Sequence, residues 1–161
     1  MMKDVIEEQL YRLEILPLSN IKWKKFDLCL YSDSSNQEYL NAKKKIRECV
    51  PKGTSGVYIL TNKEKVLYIG ESEKNIHSRL RRHIDKIYVR TDSRSDFFKL
   101  KEHQGLLSIY YWSLPPNLVD KRKNIEALLT NALEPEYKKW DLKNQMDRLE
   151  TAFSEIDQGF N

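Results

Sequence analysis

The sequence predicts an α+β fold in which a small three-stranded antiparallel sheet is flanked by helices. Side chains that alternate with a period of two mark the three strands, at residues 57–60, 67–69 and 107–112. Apolar residues three or four positions apart mark the helices, of which the clearest covers residues 119–133. Prolines and glycines separate these segments, so each is predicted to form an element of its own.

Residues 1–50 are predicted to form an N-terminal extension that is mainly helical. The expected elements are an amphipathic helix over 1–16, a short strand over 23–31, a polar turn at 32–36 and a helix near 37–49. Two interpretations of the extension remain open. It either packs on the core or forms a small recognition element.

Residues 51–139 are predicted to form the core, and residues 140–161 a C-terminal helix packed on it. The core segment 88–105 is polar and has no clear period, so a loop or irregular segment is expected there. In the C-terminal helix, spacings of four and three produce a short heptad stripe: Leu142, Met146, Leu149, Phe153 and Ile156. Two heptads are too few for an independent coiled coil, which favours packing on the same domain over dimerisation.

Composition narrows the class of protein. Hydrophobic residues make up 40% and charged residues 32% of the chain, as expected of a soluble globular domain. No apolar run approaches the ~20 residues of a membrane span, and the N-terminal segment is acidic where a secretory signal would be apolar. The sequence has only two cysteines, Cys29 and Cys49, so a disulfide framework is not expected. A reduced, cytoplasmic location is expected instead.

The basic residues are clustered, and the net charge is +4. The clusters are Lys43, Lys44, Lys45 and Arg47; Arg79, Arg81, Arg82 and Lys86; and Lys121, Arg122 and Lys123. Such clusters are typical of nucleic-acid-binding proteins. The competing interpretation is that these are solvated helix faces, and charge alone favours it.

Two short triplets organise the central stretch. Gly-Val-Tyr ends at Tyr58 and Tyr-Ile-Gly runs from Tyr68 to Gly70, with nine residues between the triplets. Because side chains alternate between the faces of a strand, the connection decides whether the two phenols share a face. We expect a three-residue loop at 62–64, which places Tyr58 opposite Tyr68. Gly70 is expected to end the second strand.

A helix after the second triplet carries two further polar groups. Arg79 and His83 are four residues apart and therefore share one helix face, close to the two strands. This combination suits chemistry on a phosphate. His77 and His103 are expected to be ordinary surface histidines, because neither has a metal-ligand partner at a useful spacing.

These residues resemble the motif of the GIY-YIG nuclease superfamily. The two triplets match its first two signatures, and Arg79 and His83 fill the places of its arginine and histidine, with one extra residue in the intervening loop. Glu126, in the helix over 119–133, fits the family's glutamate. The matches cover about residues 54–137, and their order and spacing make the signal specific.

The resemblance implies a stand-alone, metal-dependent endonuclease that hydrolyses DNA. It assigns Tyr58 as the general base for the attacking water, and Tyr68 would position that water or the phosphate. Arg79 would bind the phosphate oxygens, and His83 would assist Tyr58 or protonate the leaving group. Glu126 would hold Mg²⁺, with Mn²⁺ as a substitute, because a lone carboxylate with water and substrate oxygens suits a hard cation.

DNA is the expected partner, bound by a protein that is a monomer or a weak homodimer without membrane association. The expected DNA contacts are Arg81, Arg82, Lys86, Lys121, Lys123 and Lys138. Tyr137 and Lys138 stand where the family often carries an asparagine after a proline. This departure keeps an alternative open, a catalytically silent nucleic-acid-binding or regulatory module on the same fold.

Overall fold

The computed structural model describes residues 2–31, 36–63, 65–88 and 93–159. Its helices are α1 (Met2–Arg12), α2 (Asn36–Cys49), α3 (Ile76–Tyr88), α4 (Ser93–Lys99), α5 (Val119–Leu133) and α6 (Glu136–Gly159), with a 3₁₀ turn at Lys101–His103. Its strands are β1 (Trp23–Leu30), β2 (Gly56–Thr61), β3 (Val66–Ser72) and β4 (Gly105–Ser113). The predicted α+β class is confirmed. The turn predicted at 32–36 falls almost wholly on residues outside this description.

The described strands form one antiparallel sheet in the order β1-β4-β2-β3. The sheet therefore has four strands, and the prediction of three was wrong. The additional strand, β1, comes from the N-terminal extension and pairs with β4 from Trp23 opposite Trp112 to Leu30 opposite Gly105. Without β1, the backbone groups along that side of β4 would be unpaired, and β1 supplies their partners.

Helices cover both faces of the sheet. One core contains side chains of α2, α3 and α4, among them Ile46, Leu80 and Phe97. The other contains side chains of α1 and α5, among them Leu10 and Leu129. The central strand β2 is buried along its whole length, because it has a strand on each side and a helix layer on each face.

The hairpin of β2 and β3 has a different register from the one predicted. Tyr58 lies opposite Gly70, and Tyr68 lies opposite Leu60, so the expected direct pairing of the two tyrosines was wrong. An irregularity between Leu60 and Thr61 lengthens the connection, and Glu64 of the predicted 62–64 loop lies outside the described residues. Because Tyr68 is two residues from Gly70, both phenols still point to the same face, as predicted. Their rings stack with centroids 6.1 Å apart.

Helix α4 occupies much of the segment 88–105, where an irregular segment was predicted, and that prediction was wrong. Phe97 and Phe98 of this seven-residue helix are both buried in the core, whereas residues 89–92 lie outside the description. His103 and His77 are also buried, which corrects their predicted surface positions. His103 Nδ1 lies 2.8 Å from the carbonyl oxygen of Phe97, and that hydrogen bond satisfies one of its polar atoms.

Helix α6 packs on the domain only at its beginning. Tyr137 and Trp140 lie against the core that contains α4. Beyond them, the described residues of the heptad stripe are between 52% and 65% exposed: Leu142, Met146, Leu149 and Phe153. The predicted packing of the stripe on its own domain was therefore wrong, and the side chain of Ile156 lies outside the description. None of the described helices has the length and apolar content that crossing a bilayer requires.

Candidate active site

Tyr58 and His83 form the centre of the candidate site. Tyr58 projects from β2 and is 1% exposed, and its hydroxyl oxygen lies 3.0 Å from Nε2 of His83 on α3. Ile76, Leu80 and Ile84 anchor α3 in the core beneath it and hold His83 against the sheet. Two residues chosen from separate motifs are thus in direct contact.

Gly70 makes room for the two phenols. A Cβ atom at this position would lie 2.6 Å from the hydroxyl oxygen of Tyr58 and 2.9 Å from Cε1 of Tyr68. The ring of Tyr58 therefore lies directly over the glycine backbone, where no other residue leaves enough space. Strand β3 continues through Gly70 to Ser72, so the expectation that this glycine ends the strand was wrong.

Aromatic rings surround Tyr68. Its ring centroid is 4.6 Å from that of His83, 5.2 Å from that of Tyr137 and 6.3 Å from that of Phe98. Tyr137, which stands near the family's usual asparagine, thus packs against a predicted site residue. Its neighbour Lys138 donates a hydrogen bond of 3.0 Å to Asn131 Oδ1 on α5.

Burial keeps the Tyr58–His83 pair uncharged. Loss of solvent raises the pKa of the Tyr58 hydroxyl well above its usual value, and the positive charge of Arg79 opposes this rise without overcoming it. Burial, with the charges of Lys86 and Arg79, lowers the pKa of His83 to about 3. In the free protein, burial therefore outweighs the charge of Arg79, and the Tyr58 hydroxyl stays protonated at neutral pH.

Glu126 on α5 belongs to the same electrostatic environment. Burial and the neighbouring carboxylate of Glu71 raise the pKa of Glu126, while Arg79 and a hydrogen bond to the backbone of Glu71 oppose this rise. The charge of Glu126 in turn raises the pKa of both Tyr58 and Tyr68. Arg79 is exposed on α3 and acts on all three of these groups. The five predicted side chains are therefore brought together at the β3 side of the sheet.

Arg122 and Glu71 form an ion pair beside this site that the sequence analysis missed. Arg122 is 0% exposed, and its Nε donates to a carboxylate oxygen of Glu71 at 3.2 Å. Its Nη1 donates to the carbonyl oxygens of Pro115 and Pro116, at 3.3 and 2.7 Å. Arg122 is therefore not part of an exposed basic cluster, although Lys121 is exposed. The two adjacent prolines after β4 were the sequence feature that could have indicated the burial of Arg122. Their carbonyl groups point towards α5 and accept hydrogen bonds from the guanidinium of Arg122.

A family model of the GIY-YIG catalytic domain matches residues 54–147. The chain belongs to the GIY-YIG family. The resemblance seen in the two triplets is confirmed, and with it the nuclease fold. Among solved structures, this GIY-YIG chain is similar to a crystal structure of the GIY-YIG N-terminal endonuclease domain of UvrC from Thermotoga maritima, a point mutant bound to the catalytic divalent cation. The two are 24% identical, with a TM-score of 0.42, over 60% of this chain and 93% of that one. Comparison with curated proteins finds no match.

A basic groove lies between α2 and α3, on the opposite flank of α3 from Arg79. Four cationic side chains line it: Lys43, Lys44, Arg47 and Arg81. Among its described lining residues there is no carboxylate. The groove therefore joins a cluster from the N-terminal extension to one from the GIY-YIG core.

The other predicted DNA contacts lie on several parts of the GIY-YIG surface. Arg82, Lys121 and Lys123 are exposed. Lys86 is half-buried, with its Nζ 5.7 Å from the centre of the Phe98 ring. Lys121 similarly lies over the ring of Trp112, at 5.8 Å.

The donor set of this GIY-YIG site fits a hard divalent cation. Among the residues described, no group of three or more histidine, cysteine, aspartate or glutamate side chains is arranged to hold a metal ion. Zinc, which takes a nearly complete set of nitrogen and sulfur ligands from the protein, does not fit. The half-buried Glu126 beside Glu71 is a carboxylate pair whose mutual repulsion a cation would relieve. Mg²⁺ is commonly bound by one or two carboxylates together with water and phosphate oxygens.

Proposed function

We propose that this GIY-YIG protein is a metal-dependent endonuclease that hydrolyses phosphodiester bonds of DNA. The observation that carries the proposal is the convergence of two phenols, an imidazole, a guanidinium and a carboxylate at the β3 edge of the sheet. Each group has a part in hydrolysis. Arg79 is exposed and binds the phosphate, where a guanidinium stabilises the charge that develops on the oxygens.

Tyr58 acts as the general base in this proposal, and His83 takes up its proton. The Tyr58 hydroxyl, 3.0 Å from Nε2 of His83, gives its own proton to that nitrogen as it takes one from the attacking water. In the free protein, the positive charge of Arg79 disfavours protonation of His83. A phosphate bound by Arg79 neutralises that charge and adds negative charge near His83. The imidazole therefore becomes a better proton acceptor than in the free protein. Tyr68, half-buried beside them, positions the water or the phosphate.

Glu126 is the proposed ligand of Mg²⁺, for which Mn²⁺ would substitute. Bound there, the ion would polarise the phosphate and stabilise charge on the leaving oxygen. Glu71 adds a second negative charge next to Glu126 and is held in place by Arg122.

The proposed path of the DNA crosses the outer face of α3. At 3.6 residues per turn, Arg79 and Arg81 project from opposite flanks of this helix, and Arg82 projects between them. A strand with one phosphate at Arg79 would reach the groove between α2 and α3 by passing Arg82. Lys86, Lys121, Lys123 and Lys138 would contact flanking phosphates. A cytoplasmic location is part of this proposal, because Cys29 and Cys49 are free thiols.

The test is nicking of supercoiled plasmid with Mg²⁺ or Mn²⁺. Wild type is expected to nick DNA, and Tyr58→Phe and Glu126→Gln are expected to be slower by at least about 100-fold while still binding DNA. Tyr110→Phe is the matched control, because Tyr110 is a buried tyrosine on β4 that belongs to the opposite core. Chelation of the metal should stop nicking by wild type.

A second candidate function is a silent DNA-binding module on the same fold. The packing of Tyr137 against Tyr68 favours it, since this ring lies near the place of the family's usual asparagine. Wild type that binds plasmid but leaves it supercoiled with both metals and at every pH would establish this function and refute the nuclease.

A further inference from the structure

The second half of α6 presents an unusual apolar surface. Leu142, Met146, Leu149 and Phe153 are 52%, 61%, 59% and 65% exposed, although they follow the four-and-three spacing of a buried helix seam. Single exposed apolar side chains are ordinary, but a contiguous stripe of four large ones marks an interaction surface.

The stripe faces away from the domain. Trp140, which packs on Phe97, and Asn144, which is half-buried, define the inward side of α6. At 3.6 residues per turn, Leu142 and Leu149 lie half a turn around the helix from Trp140. The stripe cannot reach its own core without displacing Trp140, and a partner can approach it without obstruction from the described part of the domain.

The stripe is complementary to itself when two copies run antiparallel. Pairing Met146 with Leu149 of a second copy and Leu142 with Phe153 of that copy uses one common midpoint, between residues 147 and 148. Each leucine of one copy then packs against a methionine or a phenylalanine of the other copy. Each of these two contacts occurs twice in the dimer. A two-fold axis through that midpoint generates the whole contact.

The charges beside the stripe favour the same arrangement. Lys143 and Glu150 each follow a leucine of the stripe and lie on one side of it, seven residues apart. In the antiparallel pair, Lys143 comes within about 3 Å, measured along the axis, of Glu150 of the second copy. Its side chain spans that offset, so two opposite-charge pairs form. A parallel pair would instead place Gln145 beside Glu150, with no opposite charge.

We propose that this protein forms a homodimer through antiparallel pairing of residues 142–153 of α6. The dimer is weak and depends on concentration, because four apolar residues from each copy make a contact smaller than that of obligate dimers. The inference is independent of the proposed nuclease activity. It places the two domains on opposite sides of the helix pair.

The experiment measures the oligomeric state of the full chain by analytical ultracentrifugation from micromolar to millimolar concentrations. Wild type is expected to pass from monomer to dimer. Leu149→Asp should raise the dissociation constant by at least about tenfold, because each dimer buries this leucine twice. Leu40→Asp is the matched control, since Leu40 on α2 is 53% exposed and lies outside the stripe. Circular dichroism confirms that both variants fold.

Charge exchange tests the direction of pairing. Lys143→Glu and Glu150→Lys should each weaken the dimer, because like charges then face each other. The double variant should regain the wild-type constant, and an equimolar mixture of the two single variants should form a heterodimer. A wild type that stays monomeric throughout would overturn the proposal and leave the stripe for a different partner. So would a dimer that Leu149→Asp leaves intact, or charge variants whose effects do not cancel.

Discussion

The hydroxyl oxygen of Tyr58 lies 3.0 Å from Nε2 of His83, and burial keeps both groups neutral. A proton shared by this pair is shielded from bulk solvent. The pair therefore responds to charge that arrives with a ligand more strongly than to ordinary changes of pH.

The rate of DNA nicking is expected to rise with pH between about 7 and 9.5 and to show no plateau there. In this range a growing fraction of Tyr58 is phenolate, which accepts the proton of the water without first passing one to His83. Burial raises the pKa of Tyr58 well above its usual value, so this fraction does not level off by about pH 9.5. Single-turnover rates at saturating metal measure the profile. A flat profile, with chemistry shown to limit the rate, would argue against the phenolate of Tyr58 as the base.

Acid should destabilise the fold through His83. Its folded pKa is about 3 and its unfolded value is near 6.5, so between these values the unfolded chain binds more protons and stability falls as pH falls. At pH ~4.5 this contributes a loss of about 2–3 kcal/mol relative to neutral pH. Urea unfolding of wild type and His83→Phe at both pH values measures it. Between neutral pH and the acid pH, the unfolding free energy of His83→Phe should fall less than that of wild type, by that amount. Equal losses in the two proteins would contradict a buried, neutral imidazole at His83.

Gly70→Ala should destabilise the protein by about 1–3 kcal/mol or more, because the added methyl group overlaps the Tyr58 hydroxyl. The same substitution in a Tyr58→Ala background should cost less, since the nearer of the two obstructing rings is gone and only that of Tyr68 remains. Denaturant unfolding of the four proteins of this cycle gives the coupling energy. Additive losses would mean that the ring does not lie over Gly70.

Arg122→Met should cost roughly 3–5 kcal/mol, because it leaves the carboxylate of Glu71 without its buried partner. Adding Glu71→Gln should recover much of this loss. Unfolding free energies of both single variants and the double variant test the pair. Glu71→Gln alone should also lower the pKa of Glu126, which the Glu71 charge raises, and NMR titration of Glu126 measures this.

Arg47→Gln and Arg81→Gln should weaken DNA binding and make it less sensitive to salt. Each phosphate contact that is lost should reduce the slope of log affinity against log salt by about 0.9. Lys24→Gln, at an exposed site on β1 outside the groove, should leave the slope unchanged. Slopes that stay at the wild-type value in both groove variants would remove the α2–α3 groove from the DNA path.

The five proposed site residues could be chosen from the sequence because they match the GIY-YIG motif in order and spacing. Arg122 could not, because it lies between Lys121 and Lys123, and a cation flanked by cations has the appearance of a surface cluster. Its burial depends on its place one helical turn before Glu126, on the side of α5 that Ile125 and Leu129 turn inward.

The pairing of strands was harder to predict than their existence. The segment over 23–31 was expected to be a strand, but its partner β4 lies about 80 residues further along the chain, and alternation carries no information on long-range pairing. The irregularity between Leu60 and Thr61 likewise leaves no trace in the alternation. The prediction that the two phenols share a face was nevertheless correct. The observed register differs from the predicted one by two residues, and an even shift leaves each side chain on the same face.

The strand β1 also bears on which piece of this chain can stand alone. The match to the catalytic domain starts at residue 54, yet β4 has its outer hydrogen-bonding partners in residues 23–30. A fragment trimmed to the match would carry a bare edge eight residues long, open to any other extended chain. If such a fragment aggregates, the cause would be the loss of β1 and not a defect in the nuclease fold.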